Sequence, residues 1–357
     1  MCNVDVTGWP GSVSRPTDHG LQSCCREVTS IVVTVSPPQL AQRHLDTVLG
    51  HLPGVFDGDR TSVHQARIAT RRLREVLPLM PGVEHVTDTV RAAGRQLGRV
   101  RELDVMSDLL DSLSDRVPVS AAAALHLLRQ TLRQRRDEAR REMVKALEEL
   151  DLPSLRDVIV TNWSWLRRNP VGAAIRLRRP SWVGSIWMRI IERKDDAVRA
   201  IEHAPAVYLP NRTHQARIAI KKLRYAVEVA ADAGVWNPPR LLKDLRRLQG
   251  VLGEEHDLQV LKDFVDARPA ENGRPAEAED GVTSDTSFIS SLLMSDIRRL
   301  HAEYARRRER VFQIAEACTR AARHSRWRMS VPLVAVAAFT APVVLVSLRP
   351  PHHLQKA

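Results

Sequence analysis

The sequence predicts an all-α fold in which one four-helix unit is used twice, and three observations carry that reading. Ala, Leu, Val and Arg dominate while aromatic residues are only 4% of the chain, a balance that favours helices over sheets. From Pro37 onward the apolar residues recur at helical spacing. HQARIATRRLR, His64 to Arg74, returns 150 positions later as HQARIAIKKLR, His214 to Arg224, with eight of eleven letters identical and two of the three changes Arg to Lys.

Residues 1–35 mix Gly, Pro, Ser and Thr without periodicity and read as a disordered tail. PPQLAQRHLDTVLGHL then opens with prolines, which a first helical turn tolerates, and spaces Leu45, Leu49 and Leu52 along one face. A turn is expected over Gly54 to Asp59, followed by the first basic helix to about Leu79, where Pro81 and Gly82 stop it. Helices over about Val86–Ser114 and Ser120–Leu150 complete a first repeat, 37–152. Residues 153–182 read as an irregular joint containing Trp163 and Trp165. The second repeat, 183–325, has helices from about Val183 to His203, through the second basic motif, and from about Pro239 to Val265. Arg268 to Thr286 is rich in Pro, Gly and acids and reads as a disordered loop before a final long helix, about Phe288 to Arg323. The third helices agree as well: LGRVRELDV, Leu97 to Val105, matches LGEEHDLQV, Leu252 to Val260, and Arg91 and Arg246 stand at equivalent places upstream. A period this long signals duplication of a supersecondary unit.

Lys and Arg number 54 against 42 acids, a net charge of +12. That surplus suits a polyanion (nucleic acid, anionic lipid or polyphosphate), and it also suits a surface kept basic for solubility. Cys2, Cys24, Cys25 and Cys318 form no C-x-x-C pair, which argues against structural zinc and a disulfide framework and fits a reducing, intracellular setting. No secretory signal is read in the first thirty residues. In the tail 326–357, the uncharged run 331–348 is at the short limit for a membrane span and contains Pro332 and Pro342, so membrane contact and a packed apolar tail both stand as readings.

On a helical wheel Ala66, Ala69, Leu73, Val76 and Leu77 gather on one side of the first basic helix, with His64, Arg67, Arg71 and Arg74 on the other. The second copy turns Ala216, Ala219, Ile220, Leu223 and Val227 inward and His214, Arg217, Lys221 and Arg224 outward, while Arg72 and Lys222 widen each stripe at its margin. Like charges a turn apart repel, and no acid stands between His64 and Arg74 or between His214 and Tyr225 to relieve them. Each stripe is a ladder roughly 15 Å long at 1.5 Å per residue, matched to a linear run of phosphates that Arg grips with its planar fork and Lys meets as a point charge. A solvated or acid-paired helix face is the plainer alternative for one such stripe, and its reappearance in a second copy favours anion binding. The histidines read either as local structural groups or as phosphate contacts. Neither has a His or Cys at i, i+3 or i+4, so no metal is expected. Arg101–Glu102 and His256–Asp257 are expected to pair with the basic helices, and Trp182, Trp187 and Trp236 to pack at the joint.

The doubled His-Gln-x-Arg-x-x-x-[Arg/Lys]-[Arg/Lys]-Leu-Arg motif, with Leu-Gly-x-x-[Arg/His]-[Glu/Asp]-x-x-Val after each copy, resembles the CHAD domain (conserved histidine α-helical domain) over about 36–325. The resemblance implies two pseudo-symmetric four-helix bundles whose basic helices line a cationic pore or groove, inorganic polyphosphate as ligand, and association with cytoplasmic polyphosphate granules. Carried over by position, His64, Arg67, Arg71, Arg72 and Arg74 match the first motif, and His214, Arg217, Lys221, Lys222, Arg224 and Tyr225 the second. Arg91, Arg101, Arg246 and His256 join them as candidate phosphate contacts. Glu75 stands where the second copy has Tyr225, and Gln259 stands where the first has Asp104. No alternating Glu-x-Glu-x-Lys strand of the triphosphatases often joined to this domain is found. A non-enzymatic polyphosphate binder without cofactor is therefore expected, and a nucleic-acid binder using the same surface is the second reading.

Overall fold

Ser36 opens the first helix with a capping box, its backbone N–H donating to Gln39 Oε1 at 2.9 Å while Pro37 and Pro38 occupy the first turn. This helix, α1 (Pro37–Asp57), runs straight through Pro53 and Gly54, so the expected turn shrinks to Gly58 and Asp59. Gly58 has φ +81°, a conformation that favours glycine, and a Cβ there would lie 2.2 Å from the Arg140 guanidinium and displace it from Phe56 O, to which it donates. Asp59 then caps the first basic helix, α2 (Arg60–Val76), by accepting from the N–H groups of Thr61 and Ser62.

The computed structural model describes residues 35–80, 82–168, 182–267 and 280–325. After α2 come α3 (Glu84–Ser112), α4 (Ala122–Glu149) and α5 (Leu155–Arg168). Then follow α6 (Trp182–Glu202), the second basic helix α7 (Pro210–Asp232), α8 (Pro239–Asp266), α9 (Asp280–Arg307) and α10 over 310–325. Every regular element among these residues is helical. Three further boundaries differ from the sequence reading. The joint is helical over Leu155–Arg168, where buried Leu155 and Ile159 give it an apolar face against α1. The loop reading fails from Asp280 onward, where helix has already begun. The last helix is broken at 308–309 rather than continuous. Both tails, the Trp163 and Trp165 side chains, and the run 331–348 lie outside the described residues and side chains, and no described helix is long and apolar enough to cross a membrane.

Packing follows one order in each half: α1 on α2, α2 on α3 and α3 on α4, then α6 on α7, α7 on α8 and α8 on α9. The halves meet along α2–α7 and α3–α8. The inward residues of both basic helices are buried as the wheel places them, with Ala66, Leu73, Val76, Leu77, Ala216, Ile220, Leu223 and Val227 at 0% exposure. They belong to one apolar core that takes residues from both halves. A second core joins the far ends of α3 and α8 to α4 and α9 through Met106, Leu110, Leu128, Leu261 and Leu293. Trp187 packs on Trp236 with ring centroids 5.4 Å apart, as packing residues should.

The Asp104/Gln259 departure turns out to be two solutions to one problem. Asp104 is fully buried and accepts from Arg60 at 3.0 Å and Arg136 at 2.6 Å, pinning the start of α2 and the middle of α4 to α3. Gln259 accepts from the Tyr208 hydroxyl at 2.6 Å, pinning the approach to α7 onto α8. Breaking a buried ion pair from one side leaves its partners uncompensated. Asp104→Ala should therefore cost about 2–3 kcal/mol, read as a lower denaturant midpoint with unchanged m, whereas Gln259→Ala should cost less.

Candidate functional site

Each basic helix buries an Ala/Leu stripe, so its cations turn to the opposite side, and the two basic helices are in contact with each other. Arg67 lies in the field of Arg71 and Arg217, and Lys221 in that of Arg71, Arg217, Arg67 and Arg74. Arg72 of α2 reaches Glu228 of α7 at 3.9 Å. Cations of α2 and α7 therefore act on one another, and their stripes share one seam.

Electrostatics mark the seam strongly. Burial and the neighbouring Arg71, Arg217, Arg67 and Arg74 push the Lys221 ammonium down to about 7. Burial, then Arg71 and Arg217, pulls Arg67 down to about 10, which leaves it charged at neutral pH. Burial lowers Arg217 too, opposed by Asp257. Arg67, Arg71, Arg74 and Lys221 form no ion pair among the described residues, whereas Arg217 stands 3.8 Å from Asp257 and Arg101 4.0 Å from Asp108. Around the middle of the seam six cations (Arg67, Arg71, Arg74, Arg101, Arg217, Lys221) thus face four carboxylates, Glu75, Glu102, Asp108 and Asp257, two of which are also held by arginines outside the group, Glu75 by Arg189 and Asp108 by Arg60. Such an excess is a standing cost to the free protein that a polyanion removes. The Arg67 guanidinium lies beside Gly98 of α3, 3.7 Å from where a Cβ would stand, an ordinary van der Waals contact.

At one end of the seam are the histidines. His214 Nδ1 and His256 Nδ1 are 3.1 Å apart, with ring centroids at 4.4 Å. Burial, then Arg217, His214 and Lys221, pushes His256 down to about 4, and burial with Arg217 and Lys221 lowers His214. His64, in the first copy, is more exposed, and partial desolvation, then Arg101, Arg67 and Arg71, lower it. Equivalent positions are therefore involved in both copies: Arg101 acts on His64, and His256 meets His214.

At the other end the stripe is tied down. Buried Glu228 accepts from Arg224 at 2.9 Å and Arg246 at 3.1 Å, and faces Arg72 across the seam. Arg72, Arg224 and Arg246 therefore share one carboxylate, and they join α2, α7 and α8 as well as presenting charge. Tyr225 is buried with the Arg224 guanidinium 4.4 Å over its ring, so it positions a cation and offers no free stacking face. Glu75, its counterpart, is buried against Arg189 at 2.7 Å and anchors α2 to α6. Arg91 pairs with Asp88 at 2.9 Å while adding to the field at Arg74, and Lys222 lies half-buried at the margin of its stripe. Arg95, which sequence reasoning passed over, also acts on Arg74; its spacing four residues after Arg91 is the signal that places it there. Glu228 was missed as well, four residues after Arg224. Among the described side chains no group of three His, Cys, Asp or Glu is arranged to hold a metal ion.

The CHAD domain family model matches residues 39–266. The crystal structure of the CHAD domain from the plant Ricinus communis superposes with a TM-score of 0.57 at 20% identity, covering 76% of this chain and 89% of that one. PptA from Streptomyces chartreusis gives a TM-score of 0.53 at 16% identity, over 78% of this chain and 98% of that one. At such identities these likenesses concern fold alone. No curated protein matched. The matched span holds both basic motifs and both third-helix motifs, and on that ground the chain belongs to the CHAD domain family.

Proposed function

We propose that this chain binds inorganic polyphosphate, without turnover, along the seam between α2 and α7. One observation carries the reading: cations from both motif copies face each other with too few carboxylates to neutralise them. A linear chain bearing one charge per phosphate fills that deficit at every step, and CHAD domain proteins are linked to polyphosphate. Guanidinium forks from Arg67, Arg71 and Arg217 would grip phosphate oxygens in pairs, with Lys221 as a point charge between them. A single strand of nucleic acid is favoured less, because the aromatic residue of the motif, Tyr225, is covered by Arg224 and offers bases no platform. Bound to long chains, the protein would reside on polyphosphate granules.

Counterion release makes the binding steeply salt-dependent. Titrating the protein with long-chain polyphosphate from 50 to 200 mM salt should weaken binding by about a hundredfold or more. Long polyphosphate should displace DNA, and DNA should not displace polyphosphate. Displacement in the opposite sense, or release of orthophosphate during the assay, would overturn the reading.

A further inference from the structure

Away from the seam, α8, α9 and α10 enclose a groove of about 490 Å³ that the motif residues do not line, within the size range of ligand sites. Its charged walls are Arg247 of α8, Arg306 and Arg307 of α9, Arg310 of α10, and the acids Asp244 and Glu309. Arg310 stands 3.5 Å from Asp244, and Arg307 donates to Glu303 at 2.8 Å, so those two are partly spent within the fold. Arg247 and Arg306 have no ion pair among the described residues. The break at 308–309 is what creates the arrangement, since it ends α9 on Arg306–Arg307 and starts α10 at Arg310, bringing three arginines from two helices to one corner.

The position of this corner relative to the seam matters more than its charge. α8 lies between α7 on one side and α9 on the other. Arg246 faces α7, reaching Glu228 at 3.1 Å, and its neighbour Arg247, one residue on and about 100° round the helix, lines the groove on the α9 side. Arg240, Lys243, Arg246 and Arg247 are all exposed on this stretch of α8, where the half-buried Asp244 is the one acid among them, and Arg246 and Arg247 are adjacent in the chain. A lone basic patch serves solubility equally well; one connected by exposed cations to the end of a polyanion seam extends it.

We infer that the α8–α9–α10 groove is a second phosphate subsite, which takes the outgoing end of a polyphosphate chain that leaves the seam over Arg246. This rests on the binding function proposed above. It makes affinity depend on chain length, because a short chain fills the seam only and a long one reaches both places.

The test compares wild type with the Arg247→Glu/Arg306→Glu double variant, using tripolyphosphate as the short probe and a chain of about one hundred phosphates as the long one. Both residues are exposed, so the variant should melt with the wild type. The expected result is a loss of about tenfold or more in long-chain affinity, a shallower salt slope for the long chain, and no change for tripolyphosphate. Unchanged long-chain affinity would overturn the subsite. Equal weakening of both probes would do so too, since it reports only a change in overall charge. Failure of wild type to bind either probe would instead remove the function proposed above.

Discussion

Arg71→Glu should lower polyphosphate affinity by about a thousandfold while leaving the free protein as stable as wild type or slightly more so. Arg71 acts on Arg67, Arg74, Arg217 and Lys221 and has no carboxylate partner of its own among the described residues. Reversing its charge removes one phosphate contact and adds a repulsion, together about 4 kcal/mol. In the free protein the same change turns several like-charge contacts into attractions, so the melting temperature should hold or rise. That pairing of outcomes separates a binding residue from a structural one. Glu228→Gln makes the contrast: it strips Arg224, Arg246 and Arg72 of their shared buried partner and should lower stability as well as affinity. Calorimetric melting and a fluorescence titration with long-chain polyphosphate read both quantities. A sharply lower melting temperature for Arg71→Glu would show that the seam is held together by contacts other than those described.

Affinity should also fall as pH rises from about 7 to 9, by tenfold or more, and Lys221 is the cause. Burial and four neighbouring arginines hold its ammonium near 7 in the free protein. Phosphates alongside it restore the charge and return the group toward the ordinary lysine range. The bound state therefore has the higher pKa, and binding takes up a proton in the window between the two values. Affinity is complete below the free value and declines as pH climbs through the window. His214 and His256, held low in the free protein, add uptake in the same direction at more acidic pH. Long chains are the right probe, because their few end groups contribute little titration of their own. Calorimetry near pH 8 in buffers of different ionisation heat should report proton uptake on binding. Lys221→Arg should abolish that uptake and flatten the profile, since a guanidinium stays charged throughout. A flat wild-type profile with no uptake would place the phosphates away from Lys221.

Local sequence carried most of the fold and the centre of the site. Ala66, Leu73, Ile220 and Leu223 are buried because the 3.6-residue period requires it, and the same period leaves Arg67, Arg71, Arg217 and Lys221 no direction but the opposite one. What the period cannot express is which helix stands opposite. The meeting of the two stripes depends on α2 packing on α7, a contact between residues 150 apart in the chain. For the same reason the sequence offered Arg72, Arg224 and Arg246 as candidate phosphate contacts or acid-paired groups without showing that one residue, Glu228, gathers all three. Composition misled at the joint and at 280–286. Polar and small residues there signal loop in isolation, yet an apolar face on α5, and continuation into the buried Ile289 and Leu293 of α9, make helix the better state. Asp104 and Gln259 were legible only as a mismatch, because they are equivalent in what they hold in place and not in their chemistry. Each fixes the entry to a basic helix, with different partners.

The stoichiometry of binding tests the shared seam most directly. Titration with a short polyphosphate, about ten phosphates long, should saturate at one chain per protein, and Arg67→Glu in α2 or Arg217→Glu in α7 should each abolish that single event. Two chains per protein, one lost with each substitution and the other kept, would show two separate stripes and contradict the account.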